Sequence, residues 1–125
     1  MAGKPYVQQA ISALMNGAMS LRQDAQAIRS EAQIENGKIQ AQIQAAQQER
    51  QQAAKDAEQS SSEYEKTRSR QVMRKAQKEI QDMQAQSDAL MSGSESRAQS
   101  AEGAAGSLEG VAKQAEGLLS DSSFE

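Results

Sequence analysis

The chain has no histidine and no cysteine among its 125 residues. Without cysteine there is no disulfide framework and no thiol nucleophile; without either residue the usual zinc ligand sets cannot form, and no imidazole can act as general base to a serine. Tryptophan is also missing. Aromatic residues are 2% of the chain, namely Tyr6, Tyr64 and Phe124. The hydrophobic fraction is 37%, below the usual range for a globular domain, and alanine supplies much of it. Alanine removes little surface from water, and burial stabilises by roughly 25 cal/mol per Å². A compact single-copy core is therefore hard to build. No apolar run reaches the 18 or more residues of a membrane span, and the stretch Tyr6–Leu21 is interrupted by Gln8, Gln9 and Asn16, unlike a secretory leader. No signal peptide and no transmembrane helix are expected. No glycine-rich phosphate loop, metal-ligand spacing or nucleophile motif is present. The expectation is a non-enzymatic protein with no catalytic, cofactor-binding or metal residues.

What is abundant favours helix. Ala, Gln, Glu, Lys, Arg, Met and Leu dominate residues 8–91, and the single proline is Pro5. The clearest pattern is Val7, Ile11, Leu14, Ala18, Leu21, Ala25, Ile28 and Ala32, alternately 4 and 3 residues apart. That is an a/d heptad seam, with Ile11, Ala18, Ala25 and Ala32 at a and Val7, Leu14, Leu21 and Ile28 at d. Small a residues opposite larger d residues allow two helices to approach closely. Asp24 falls at g and Arg29 at the following e, which suits an interhelical ion pair. The pattern weakens at Glu35-Asn36-Gly37, where a kink or turn is expected because Gly costs about 1 kcal/mol relative to Ala in a helix. Residues 40–59 form a Gln/Ala tract with little to bury, read as a solvated helical spacer.

Ser60-Ser61-Ser62 marks a second break, since serine favours caps over helix interiors. Ser62 with Glu65 three residues on forms a capping box, so a second helix is predicted from about residue 63. Its apolar face is Val72, Ala76, Ile80, Met83, Ser87 and Leu90. From Ser92 the composition changes, and five of the eight glycines lie between Gly93 and Gly117. The expected organisation is a tail over 1–5, helix over 6–59, a second helix over 63–91, a Gly/Ser linker over 92–106, a short amphipathic helix over 107–119 and a tail over 120–125. The fold class is all-α: an extended helical or coiled-coil hairpin, or a bent rod, with a flexible Gly/Ser-rich C-terminal segment. Leu118, Leu119 and Phe124 are candidates to dock on a partner.

Charge is unevenly placed. Residues 1–65 carry −2, residues 66–78 carry +6 and residues 79–125 carry −7, within a total of −3. In the basic block Lys66, Arg70, Arg74 and Lys78 recur every fourth residue and make a basic stripe. Like charges at that spacing repel slightly. The stripe is open to three partners: acids of the C-terminal third or of another subunit, anionic lipid, or nucleic-acid phosphate. Specific nucleic-acid binding is not expected, because no stacking aromatics are interleaved and the overall charge is negative. The N-terminal face of Ile11, Leu14, Met15, Ala18, Met19 and Leu21 could join a bundle or lie at a lipid interface.

The opening AISALMNGAMSL, the Ala/Gln segment RSEAQIENGKIQAQIQAAQQER and the Gly/Ser-rich end resemble, in composition, the short internal virion (ejection) proteins of tailed bacteriophages. In style they are equally similar to helical substrates and translocators of bacterial type III secretion. The resemblance covers roughly residues 10–50 and contains no diagnostic motif. It implies marginal helices that unfold to pass a narrow channel and reassemble afterwards, located in a virion, in a bacterial cytoplasm or at an exported site. The sequence thus points to a structural or assembly protein acting through helix–helix association, with itself (a homo-oligomer) or with a protein partner. The alternatives are a membrane-active peripheral protein and a chaperone or adaptor for another helical protein.

Overall fold

The computed structural model describes residues 3–120, and Phe124 and the rest of the 121–125 tail lie outside it. The fold is an all-α hairpin of two long helices, α1 (Gly3–Gln59) and α2 (Glu63–Ser120), joined by Ser60, Ser61 and Ser62. This decides between hairpin and rod. Pro5 sits in the first turn of α1, where its missing N–H costs nothing. No helix is long and apolar enough to cross a membrane among the described residues.

The turn uses serine hydroxyls. Ser60 N–H donates to the Asp56 carbonyl at 3.0 Å and closes α1. Ser62 Oγ accepts from the Glu65 N–H at 3.4 Å, the cap expected from the sequence. The reciprocal arm of the box is rerouted through Ser60. Its Oγ accepts from the Ser62 N–H at 3.1 Å and donates to the Glu65 carboxylate at 2.7 Å. Glu63 and Glu65 place negative charge in the first turn of α2, where the helix dipole favours it.

The chain divides into two compact units, residues 1–31 with 94–125, and residues 32–93. In the first unit, α1 buries Ala18 and Ala25, with Val7, Ile11, Leu14, Leu21 and Ile28 half-buried beside them. This is the heptad seam read from the sequence, and the helix it meets is the chain's own α2. On α2 the buried residues are Ser94, Ala98, Ala105 and Ala112, flanked by half-buried Ala101, Leu108, Ala115 and Leu119. Alanine against alanine brings the backbones close. A Cβ at Gly17 would stand 3.2 Å from Leu108 Cδ1.

The second unit has the bulkier core. Ile43, Ala46 and Ile80 form its buried cluster, with Ile39 and Met83 packed on it. Ala32, Ala53 and Ala76 extend it, and Ser87 is its buried polar member. Val72 and Leu90 are half-buried on the same face of α2.

Four expectations need correction. Helix α1 begins at Gly3, inside the stretch 1–5 expected as a tail. Residues 40–59 are not a solvated spacer, because Ile43, Ala46 and Ala53 are buried in the core of the second unit. Residues 92–106 are not a flexible linker, and 107–119 is not a separate short helix, because α2 runs unbroken through both. Their Gly and Ser content suggested a linker. However, Ser94, Ala98, Ala101, Ala105, Leu108, Ala112, Ala115 and Leu119 keep heptad-like spacing and are packed. Gly103, Gly106, Gly110 and Gly117 lie on the exposed side, where a Cβ would meet nothing. The helix thus bears a propensity cost on one side and packs alanine on the other. Nor does α1 kink at Glu35-Asn36-Gly37. The packed positions run 28, 32, 36 and 39, so one 4-residue step replaces a 3-residue step. Such a stutter keeps the packed face in line without a break in the helix. The same step recurs on α2 at 90, 94 and 98.

Candidate interaction surfaces

Arginine pairing is selective. In the first unit Arg22 Nε donates to Glu109 at 2.8 Å, and Arg29 donates to Glu95 at 2.9 and 3.0 Å and to Glu102 at 2.7 Å. The sequence marked Arg29 at e as an ion-pairing residue, and it is one. Asp24, its expected counterpart at g, is exposed and has no ion pair among the described residues. The hydrogen bonds from Arg29 hold both the Glu95 and Glu102 carboxyls below the usual carboxylate range, and raise the Arg29 guanidinium in turn.

These pairs lie on one flank. With a at Ala98, Ala105 and Ala112, α2 carries Glu102, Glu109 and Glu116 at successive e positions, 7 residues apart; α1 meets them with Arg22 and Arg29 at its own e positions. The opposite flank, built from g and c positions, carries Asp24 and Glu31 on α1 and Arg97 on α2 nearer the second unit in the chain, and beyond them it is Tyr6, Ala10, Ala13, Gly17 and Ser20 on α1, with Ala104, Ser107, Val111, Gln114 and Leu118 on α2. No charged residue lies in that stretch. Between Lys4 and Arg22, α1 has no charge at all. Val111 is 51% and Leu118 52% exposed, unusually open for aliphatic side chains in so apolar-poor a chain. Leu119, in contrast, turns into the seam.

In the second unit a polar layer crosses the core. Ser87 Oγ donates to Asn36 Oδ1, and Gln40 Nε2 donates to Ser87 Oγ at 3.4 Å. Asn36 reaches this layer because of the stutter, which moves the packed position from 35 to 36. Arg50, half-buried, donates to Gln77 Oε1.

The basic stripe is split by the helix. Lys66 is half-buried, with its ammonium 4.0 Å from Glu63. Arg70, Arg74 and Lys78 are exposed, with no ion pair or side-chain hydrogen bond among the described residues. Arg68 lines an open groove beside Glu49, Asp56 and Glu65. Of the C-terminal acids expected as one partner of the stripe, Glu95, Glu102 and Glu109 are instead taken up by Arg22 and Arg29. Among the described residues no carboxylate cluster could hold a metal ion.

Sequence reasoning reads Leu108, Val111, Ala112, Ala115, Leu118 and Leu119 as one apolar face, of which Val111 and Leu118 are exposed, and it missed the continuation of the seam through Ala98, Ala101 and Ala105 and the glutamate row. The signal was there, in small or apolar residues 3 and 4 apart and acids 7 apart. Glycine content masked it. No protein-family model, curated protein or solved structure matches the chain.

Proposed function

We propose that the chain is a non-enzymatic assembly protein that works through helix–helix association, as a subunit or accessory of a larger bacterial or phage structure. An ejected virion component or a translocated secretion component would use such a fold. The hairpin satisfies its main seam internally, so association must use a different surface. The observation that supports this reading is the charge-free stretch of that flank, Tyr6 to Ser20 beside Ala104 to Leu118, with Val111 and Leu118 exposed on it. Burying a charge-free face against another helix removes no ion from water, so the desolvation cost is small. Gly103, Gly110 and Gly117, 7 residues apart beside it, add little bulk. A thin alanine core suits a protein that must open and close again, because little burial is lost on unfolding.

The membrane reading has less to rest on. Met15 and Met19 are exposed, but Ile11, Leu14 and Leu21 of the same face turn into the seam.

The test is sedimentation equilibrium on the wild type and on Val111→Glu/Leu118→Glu. The wild type should associate. The double variant should dissociate while its far-ultraviolet circular dichroism stays helical. A chain whose mass is the same with and without the two glutamates would sink this reading.

A further inference from the structure

We propose that the outward face of α2 from Tyr64 to Lys78 binds single-stranded nucleic acid without sequence preference, Tyr64 stacking on a base while Arg70, Arg74 and Lys78 hold phosphates. The first observation concerns arginine. Arg22, Arg29, Arg50 and Arg97 each donate to a side-chain acceptor within the hairpin. Arg70 and Arg74 donate to none among the described residues, although glutamates are plentiful in the chain. Arg68 is set apart by the carboxylates of its groove. The hairpin therefore leaves two guanidiniums and the Lys78 ammonium in water on one side of a rigid helix. Their separation is 4 residues each time, about 6 Å along the axis.

The second observation is Tyr64, one of the three aromatic residues in the chain and 75% exposed. In the register set by buried Ala76 and Ile80, Tyr64, Gln71 and Lys78 occupy the same outward heptad position, with Arg74 on the adjoining row. The ring thus stands at one end of the cationic face. Of the carboxylates nearby, Glu65 is engaged by the Ser60 hydroxyl at 2.7 Å and Glu63 lies 4.0 Å from the Lys66 ammonium, while Glu79 and Asp82 border the far end of the face beyond Lys78. Thr67, Gln71 and Gln81 also lie on this face, with exposed Gln44, Gln47, Gln51 and Glu58 on the adjoining side of α1.

Cations in a row, an exposed ring and amide groups are the chemistry that follows a single strand, since every base has a face to stack and every nucleotide a phosphate. A lipid surface would need aliphatic side chains to insert, and this face has none. An acidic helix would use the charges and leave the tyrosine idle. A duplex would offer no unstacked base.

The experiment is fluorescence anisotropy of the full chain with a fluorescein-labelled oligothymidylate of about 16 nucleotides across a salt series. Binding should appear at about 50 mM salt, with a log–log salt slope near −2, as about −0.7 per phosphate gives for three contacts. Arg74→Gln/Lys78→Gln should cut the slope by about 1.4 and weaken binding at low salt. Tyr64→Ala should weaken binding on the order of tenfold with the slope unchanged, and Tyr64→Phe should retain it. These side chains are exposed, and circular dichroism checks that each variant stays helical. Three results would overturn the proposal. One is no binding at low salt, and another is a Tyr64→Ala variant that binds like the wild type. The third is capture by phosphatidylserine vesicles without capture of the oligonucleotide. The face lies in the second unit, so failure here leaves the Val111/Leu118 test untouched.

Discussion

Arg29 and Glu102 lie 73 residues apart in the chain and meet at 2.7 Å, with Glu95 as a second acceptor on the same guanidinium. One arginine thus ties two turns of α2 to α1. Both carboxyls have folded-state pKa values lowered, chiefly by the hydrogen bonds from Arg29. Their contribution to stability is therefore fully present above the ordinary carboxylate value of 4.5 and is lost as pH falls through the lowered folded values. The wild-type melting temperature should drop through that acid window, and Arg29→Gln should flatten the drop while lowering the melting temperature near neutrality. All three side chains are partly open to solvent, so high salt should reproduce part of the loss. Thermal melts at a series of pH values check this; parallel acid limbs for the two proteins would refute it.

Close packing of alanine makes the seam intolerant of bulk. Ala105 is fully buried, and its neighbour Ala104 is exposed. Ala105→Leu should cost about 1–3 kcal/mol by overpacking. Ala104→Leu should stay within about 0.5 kcal/mol of wild type. Urea denaturation followed by circular dichroism separates the two, and equal midpoints would mean the seam is not close-packed.

Glycine replacement should depend on which side of the helix it lies. A Cβ at Gly37 or Gly103 meets nothing within 4 Å, so Gly37→Ala and Gly103→Ala should each stabilise by about 0.5–1 kcal/mol. At Gly17 the new methyl would stand 3.2 Å from Leu108 Cδ1, so the leucine must shift and the gain should be smaller. Comparing the three melting temperatures tests the packing at this contact. A Gly17→Ala variant as stable as Gly37→Ala would show that Leu108 has free room.

The turn should be sensitive at the hydroxyls of Ser60 and Ser62 but not at that of Ser61. Ser62→Ala removes the acceptor for the Glu65 N–H and should cost about 1 kcal/mol, within the usual 0.5–2 for a lost cap. Ser61, exposed and without a side-chain hydrogen bond among the described residues, should tolerate alanine. Chemical denaturation of both variants checks the difference.

Much of α1 and of the start of α2 could be read directly. The Val7–Ala32 spacing and the Ser62–Glu65 cap are local patterns, and local patterns survive folding when nothing distant competes with them. The C-terminal third was harder. Gly93 through Gly117 contribute low helix propensity as single residues, whereas their placement opposite Ala98, Ala105 and Ala112 matters only once a second helix covers those alanines. Likewise Asn36 reads as a turn residue in isolation. It becomes a packed seam residue when Ser87 stands across from it.

The order of residues alone determined that this protein is helical, that its helix is interrupted at Ser60–Ser62, and that its buried ribbon is made of alanine more than of bulky side chains. These follow from propensity, capping and spacing, which act over a few residues. Tertiary structure made that interruption a hairpin turn. It also decided which helix covers the Val7–Ala32 ribbon, which acids Arg22 and Arg29 meet, and which cations stay without a partner. Those outcomes depend on contacts between residues up to 87 positions apart. The periodicity of either helix by itself is blind to its partner.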